Sequence, residues 1–388
     1  MKPTHASRLP YLITYYCTLV AVGLMVGIIG PLLGDLAQQT QSTLQGISLI
    51  LAMRPLGYLG GTLLSGRLLD RHPGHPILAA AIALSAAALA LMPLAPALAI
   101  LAVLVLVMGF AQGIMDVGSN TLIVWVFHEK VGPFLNGLHF CFGLGAFLGP
   151  MIVAQSLALT GHSAWTFWAL ALALLPLALL MLKVPSPSHA DDKANAKAPA
   201  VWDRRLAGLF IVFFFLYGGS EAGFGAWIYS YATHLKLSDA SGAAKLNSMF
   251  WGLLGVGRLL GIPVLARVTP KRFLAFLLPS AVASLALLLF FQGSQVALWL
   301  GTAGVGLSLA CVFPGMLIYA GKRLAKGGRV SGKITAFFFV GSSSGSISLP
   351  WLMGQAFEPW GPQAALALNL GAITLMGLVF ILLTAEKS

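Results

Sequence analysis

Leu49-Ile50-Leu51-Ala52-Met53-Arg54-Pro55-Leu56-Gly57 places an arginine in the middle of a long apolar stretch, and Gly257-Arg258-Leu259-Leu260-Gly261 does so again about 200 residues later. The shared phrase is R-x-L-G. A mid-membrane arginine costs about 2.5 to 3.5 kcal/mol on translocon scales. A leucine returns only about 0.3 to 0.6 kcal/mol. Two such costs at matching places predict a duplicated membrane protein with a polar centre, which is the signature of a carrier.

The composition agrees. Of 388 residues, 58% are hydrophobic and 9% charged, and the mean hydropathy is +0.88. A soluble domain carries about 25% charged residues. Apolar runs of helical length fill almost the whole chain, so the expected fold class is an all-α membrane protein. Twelve spans are expected, at roughly 9–34, 40–66, 76–95, 97–127, 131–158, 163–183, 205–232, 242–267, 272–291, 295–321, 330–356 and 361–384. The first run is too long for the apolar core of a signal peptide and is expected to stay as a span. The 44 glycines suit close helix packing in lipid.

The net charge of +12 could suggest nucleic acid, but its distribution points elsewhere. With the N-terminus inside, the cytoplasmic segments hold 19 of the 23 Lys and Arg, and the outer segments hold Lys236 and Lys245. The other two are Arg54 and Arg258. This asymmetry predicts both termini cytoplasmic and a lipid bilayer, not nucleic acid, as the partner. Cys17, Cys141 and Cys311 have neither pairing nor metal-ligand spacing and read as small buried hydrophobes.

A polar stretch, Pro185 to Arg205, divides the spans six and six and reads as a flexible linker. The expected domains are 1–184, a linker at 185–204, and 205–388. The halves align at an offset of 200 in spans five and eleven: Gly132 with Gly332, Gly145 with Gly345, Pro150 with Pro350, Gln155 with Gln355. In spans two and eight the offset is 204. Parallel repeats of this kind place a solute site at the midplane.

Four ionisable residues are committed to the bilayer interior: Arg54, Asp116, Glu221 and Arg258. Their charges could cancel, so they are expected to face a cavity rather than lipid. In span four Gln112, Asp116 and Asn120, at i, i+4 and i+8, line one helix face. In span seven Tyr217, Glu221 and Phe224 share a face among glycines expected to permit bending. Trp227 reads either as an interfacial tryptophan or as a stacking platform or gate. Asn136 and His139 open span five, and His139 could bind solute or share Asp116's proton. Span eleven carries Ser342, Ser343, Ser344, Ser346 and Ser348, mostly expected to pack helices. No P-loop, metal cluster or nucleophile–His–acid set appears, so an enzyme is not expected.

Between spans two and three lies Gly66-Arg67-Leu68-Leu69-Asp70-Arg71-His72-Pro73-Gly74-His75. It resembles the cytoplasmic loop motif of the major facilitator superfamily, G-x-L-x-D-R-x-G-R-R, with Gly66, Leu68, Asp70 and Arg71 matching. The tail departs, with an extra Pro73 and with His75 where a basic residue is usual. The resemblance implies a latch in which Asp70, near a helix N-terminus, pairs with basic residues when the cytoplasmic gate is closed. Asp116 with Asn120, the run Leu135 to His139 before Gly143 to Pro150, Tyr217-x-x-x-Glu221 with Trp227, and Gly257-Arg258-Leu259-Leu260 are similar to the branch holding fucose permease-like and sodium-dependent glucose transporter-like proteins. That resemblance implies a monosaccharide cotransported with H+ or Na+, and no other cofactor. Span one offers Tyr15, Tyr16 and Thr18 but no carboxylate, which leaves Asp116 and Glu221 as coupling candidates.

The expectation is a monomeric secondary transporter of the inner (plasma) membrane. Asp116 and Glu221 couple the ion. Gln112, Asn120, His139, Tyr217 and Trp227 bind a small-molecule solute. Arg54 and Arg258 pair with the acids, and Gly66, Asp70 and Arg71 gate. Two alternatives remain open: an anion or organic-acid carrier built on both arginines, and a proton-driven exporter suggested by Gly149-Pro150.

Overall fold

A computed structural model describes residues 8–128, 131–187, 204–324 and 332–385. The chain is an all-α membrane protein. Its internal contacts fall into two compact units, Met1–Ala194 and Asn195–Ser388. The boundary, and most of the linker read at 185–204, lie outside the described residues.

In the first unit α1 (Leu9–Gly27) runs on through Ile28 into α2 (Ile29–Gln39). Next come α3 (Leu44–Ile47), α4 (Leu49–Leu69), α5 (Gly74–Leu91), α6 (Leu98–Phe127), α7 (Gly132–Thr160) and α8 (Ala164–Lys183). The second unit holds α9 (Arg204–His234), α10 (Ala240–Arg267), α11 (Pro270–Phe290), α12 (Gln295–Ala310), α13 (Val312–Leu324), α14 (Gly332–Trp360) and α15 (Pro362–Ala385). Among the described residues 11 helical segments are long and apolar enough to cross a membrane. The remaining one, α14, is long enough but carries the serines of span eleven and two internal prolines. The tenth span is broken at Cys311, between α12 and α13.

Local chemistry sets the ends. Asp239 caps α10 by accepting from the Gly242 N–H at 2.9 Å, and Ser294 caps α12 through the Ala297 N–H at 3.2 Å. The α7 helix stops at Gly161, whose φ of 71° is left-handed. The outward faces remain apolar, with Leu63, Leu159 and Phe290 largely exposed. A bilayer, not a protein core, covers such residues.

Glycine lets the helices cross at backbone contact. A side chain on Gly57 or Gly61 of α4 would strike the carbonyls of Leu106 or Phe110 on α6. A side chain on Gly109 or Gly113 of α6 would strike those of Arg54 or Tyr58. The α1–α7 pair repeats the device, with Gly23 against Phe142 O and Gly145 against Val20 O. Hydrocarbon supplies no hydrophobic drive between helices, so close packing of small residues holds them. The glycine of the repeated R-x-L-G phrase is therefore a crossing point: Gly57 meets α6, and Gly261 meets Cys311 Sγ at the break in the tenth span.

Candidate functional site: an arginine, a tyrosine and an acid in each unit

In the first unit the α4–α6 crossing faces Arg54 and Tyr58, one turn apart, toward Gln112 and Asp116, also one turn apart. Tyr58 donates its hydroxyl to Asp116 Oδ2 at 2.5 Å. Asn120 Nδ2 donates to Asp116 Oδ1 at 2.8 Å. The Arg54 guanidinium reaches Gln112 Oε1 at 3.4 Å. His139 on α7 acts electrostatically on Asp116. Gln112 is fully buried, while Arg54, Tyr58, Asp116 and Asn120 are half-buried.

In the second unit Tyr217 and Glu221 lie on α9 and Arg258 on α10. Arg258 Nη2 is 3.3 Å from Glu221 Oε1 and 3.4 Å from the Tyr217 hydroxyl. Tyr217 also donates to Glu221 Oε2. Phe313, just past the break at Cys311, packs on Tyr217 with ring centroids 5.6 Å apart.

The two sites share residue types but not wiring. In the first, arginine and tyrosine share α4 and the acid comes from the fourth span. In the second, tyrosine and acid share α9. The expected pairing of each arginine with an acid is present for Arg258 and Glu221. Arg54 bonds Gln112 instead, because both oxygens of Asp116 already take neutral donors.

Sequence reasoning passed over Tyr58. Its signal was position: four residues after Arg54, it shares that residue's helix face.

Several expectations need correction in this structure. Trp227 is fully buried. Its indole N–H donates to Pro350 O at 2.8 Å, and its ring stacks on Phe357 at 4.8 Å. With edge and face both occupied, it is neither an interfacial tryptophan nor a platform open to a solute here. The glycines of α9 do not unwind it. The helix is continuous, and Gly218 and Gly345 let α9 and α14 approach. In the loop motif, a side chain on Gly66 would meet no atom within 4 Å, so helix packing does not require that glycine. Asp70 is the C-cap of α4, four residues before α5 begins at Gly74, and no ion pair holds it among the described residues. His75, read as the departure from the motif, is buried. Its Nε2 lies 2.8 Å from the Tyr15 hydroxyl, its Nδ1 2.7 Å from Val184 O, and its backbone N–H donates to Ser186 Oγ at 2.7 Å.

The sequence model of the Major Facilitator Superfamily matches residues 15–346. The chain is 28% identical over 376 residues to sodium-dependent glucose transporter 1A of Mus musculus, covering 87% of this chain and 88% of that protein. It is 29% identical over 400 residues to sodium-dependent glucose transporter 1 of Homo sapiens, covering 93% and 76%. A crystal structure of the nucleoside transporter NupG superposes with a TM-score of 0.80 at 14% identity, covering 96% of this chain and 99% of the other. That likeness concerns the fold alone.

Proposed function

The chain belongs to the Major Facilitator Superfamily and is a transporter, not an enzyme; we propose that it carries a small hydroxylated solute of the monosaccharide class, driven by H+ or Na+ through alternating access. The observation that carries this reading is the carboxylate of Asp116, held within the membrane span by uncharged donors. Glu221, by contrast, is ion-paired with the Arg258 guanidinium. Tyr58 and Asn120 donate to Asp116, and His139 is the ionisable group acting on it, so one bound cation can neutralise the acid and leave again, which is what coupling needs.

The names borne by the mouse and human relatives support a sugar as solute and Na+ as one driving ion. The donor geometry supports a proton, because both oxygens of Asp116 face hydrogen-bond donors rather than the several oxygen ligands that Na+ takes. Gln112, Asn120, His139 and Tyr217 supply hydrogen bonds of the kind a polyol requires. The location is proposed as the inner (plasma) membrane, with both termini cytoplasmic and the protein monomeric. Neutralisation of Arg258 by Glu221 counts against an oxyanion clamp built from both arginines.

The test is uptake into proteoliposomes by the purified full chain, using labelled hexoses, pentoses and sugar acids under imposed pH or Na+ gradients. Accumulation of at least one of them above equilibrium, collapsing with the gradient, is expected. Equilibration without accumulation under either gradient overturns the coupled reading.

A further inference from the structure

Arg258 spends its charge on Glu221 and Tyr217. Arg54 does not. Among the described residues its one hydrogen bond is to a neutral amide oxygen, Gln112 Oε1, at a long 3.4 Å. A guanidinium has five N–H donors in a planar fork. Beside it, Gln112 Nε2 is buried and has no hydrogen-bond partner among the described residues. Buried polar groups in native proteins are nearly always paired, and an unmatched charge in a membrane is expensive. One face of the α4–α6 crossing thus presents an arginine without a bonded acid next to an orphaned amide donor, and among the described residues no acceptor other than Gln112 Oε1 bonds the arginine.

We propose that Arg54 and Gln112 Nε2 form a carboxylate subsite, and that the carried solute is a sugar acid: a hydroxylated monoanion taken up with one monovalent cation at Asp116. The inference rests on the transport reading above and narrows its solute. Charge balance supplies the logic. The groups acting on Asp116 are Tyr58 of α4, Asn120 of its own helix and His139 of α7. Counted over Arg54 and Asp116 alone, a cation on Asp116 leaves one positive charge, and a monoanion brings the pair to zero. Once the cation leaves, Asp116 is ionised, and the site with anion bound carries one negative charge. Loss of the cation therefore drives out the anion, and the pair crosses without net charge. A planar carboxylate also fits the guanidinium fork in a way a single hydroxyl does not.

The test compares thermal stabilisation of the purified full chain by sodium glucuronate and by glucose at matched Na+. Glucuronate is expected to bind about tenfold more tightly or better, and Arg54→Gln is expected to abolish that preference. Glucose binding as tightly as glucuronate keeps the sugar reading and overturns the carboxylate subsite, leaving Arg54 to fork a neutral diol. Binding of neither, to a protein that remains folded, overturns both. If Arg54→Gln does not fold, Gln112→Leu serves. It retains the arginine and is expected to weaken glucuronate several-fold more than it weakens glucose; an equal effect on both, or unaltered glucuronate affinity, overturns the subsite. In proteoliposomes, glucuronate uptake is expected to ignore a potassium–valinomycin potential, and potential-driven uptake overturns the one-to-one stoichiometry.

Discussion

The Tyr58 hydroxyl closes on Asp116 Oδ2 at 2.5 Å, across a crossing where the Tyr58 carbonyl itself touches Gly113. The hydrogen bond and the backbone contact belong to the same pair of helices, so the acid's environment is set where α4 and α6 are least able to separate. A donor to a carboxylate is worth about 1.5 to 3 kcal/mol. Tyr58→Phe removes it and destabilises the ionised acid. Asp116 should then hold its cation more tightly and release it more slowly. Net gradient-driven uptake is expected to fall about ten- to a hundredfold while solute exchange falls much less. Equal loss in both assays, or none, contradicts this.

Asp116→Asn keeps the size and removes the charge change. Accumulation under a pH or Na+ gradient is expected to vanish, with counterflow exchange retained. Wild-type accumulation in this variant removes Asp116 from the coupling role.

The glycine crossings make a stability prediction with an internal control. Gly57→Leu and Gly61→Leu place a side chain on the carbonyls of Leu106 and Phe110. They are expected to cost about 1 to 3 kcal/mol or more, read as a lower melting temperature in detergent. Gly34→Ala and Gly66→Ala meet nothing within 4 Å and should leave it unchanged.

Arg258 and Glu221 should show strong non-additivity. Removing one partner strands the other charge, at about 3 to 5 kcal/mol for a fully buried pair. The side chains here are 32% and 16% exposed, so a smaller loss is expected for Glu221→Gln or Arg258→Met. The double variant Glu221→Gln with Arg258→Met should melt above either single variant. A double variant whose losses simply add shows that the ion pair is not intact in the folded protein.

Trp227→Phe separates packing from recognition. It deletes the N–H donated to Pro350 O and keeps an aromatic ring against Phe357. A stability loss of about 0.5 to 1.5 kcal/mol is expected, with solute affinity unchanged. A large affinity loss at unchanged stability would restore this tryptophan to the binding face.

Much of this was legible in the chain because bilayer physics is blunt. Arg54 and Arg258 stood out by cost, and the stripe Gln112, Asp116 and Asn120 by spacing. What escaped was pairing between helices. Tyr58 lacks the cost that flags an arginine, so only its register with Asp116 across the crossing reveals it. Periodicity could not say that Arg54 would meet Gln112 rather than Asp116, since these acceptors sit one turn apart on the same face. His75 looked like a flaw in a loop motif, because its partners, Tyr15, Val184 and Ser186, are distant in sequence. Trp227 misled for the opposite reason: an indole near the end of a span fits two roles, and only Pro350 and Phe357 decide between them.

The glycine contacts also divide the molecule by stiffness. Where Gly57, Gly61, Gly109 and Gly113 rest on carbonyls, no rotamer exists to yield, and sliding α4 along α6 means main chain against main chain. The equivalent seam in the second unit rests more on side-chain atoms, with Gly257 on Ala310 Cβ and Gly261 on Cys311 Sγ, beside a helix already broken. Shape change during a turnover should therefore concentrate around Cys311 and Phe313, with the Arg54–Gln112 face carried along as an unbending template. Spin labels or hydrogen exchange would see the α4–α6 seam as a plate and the α10–α12 seam as a hinge.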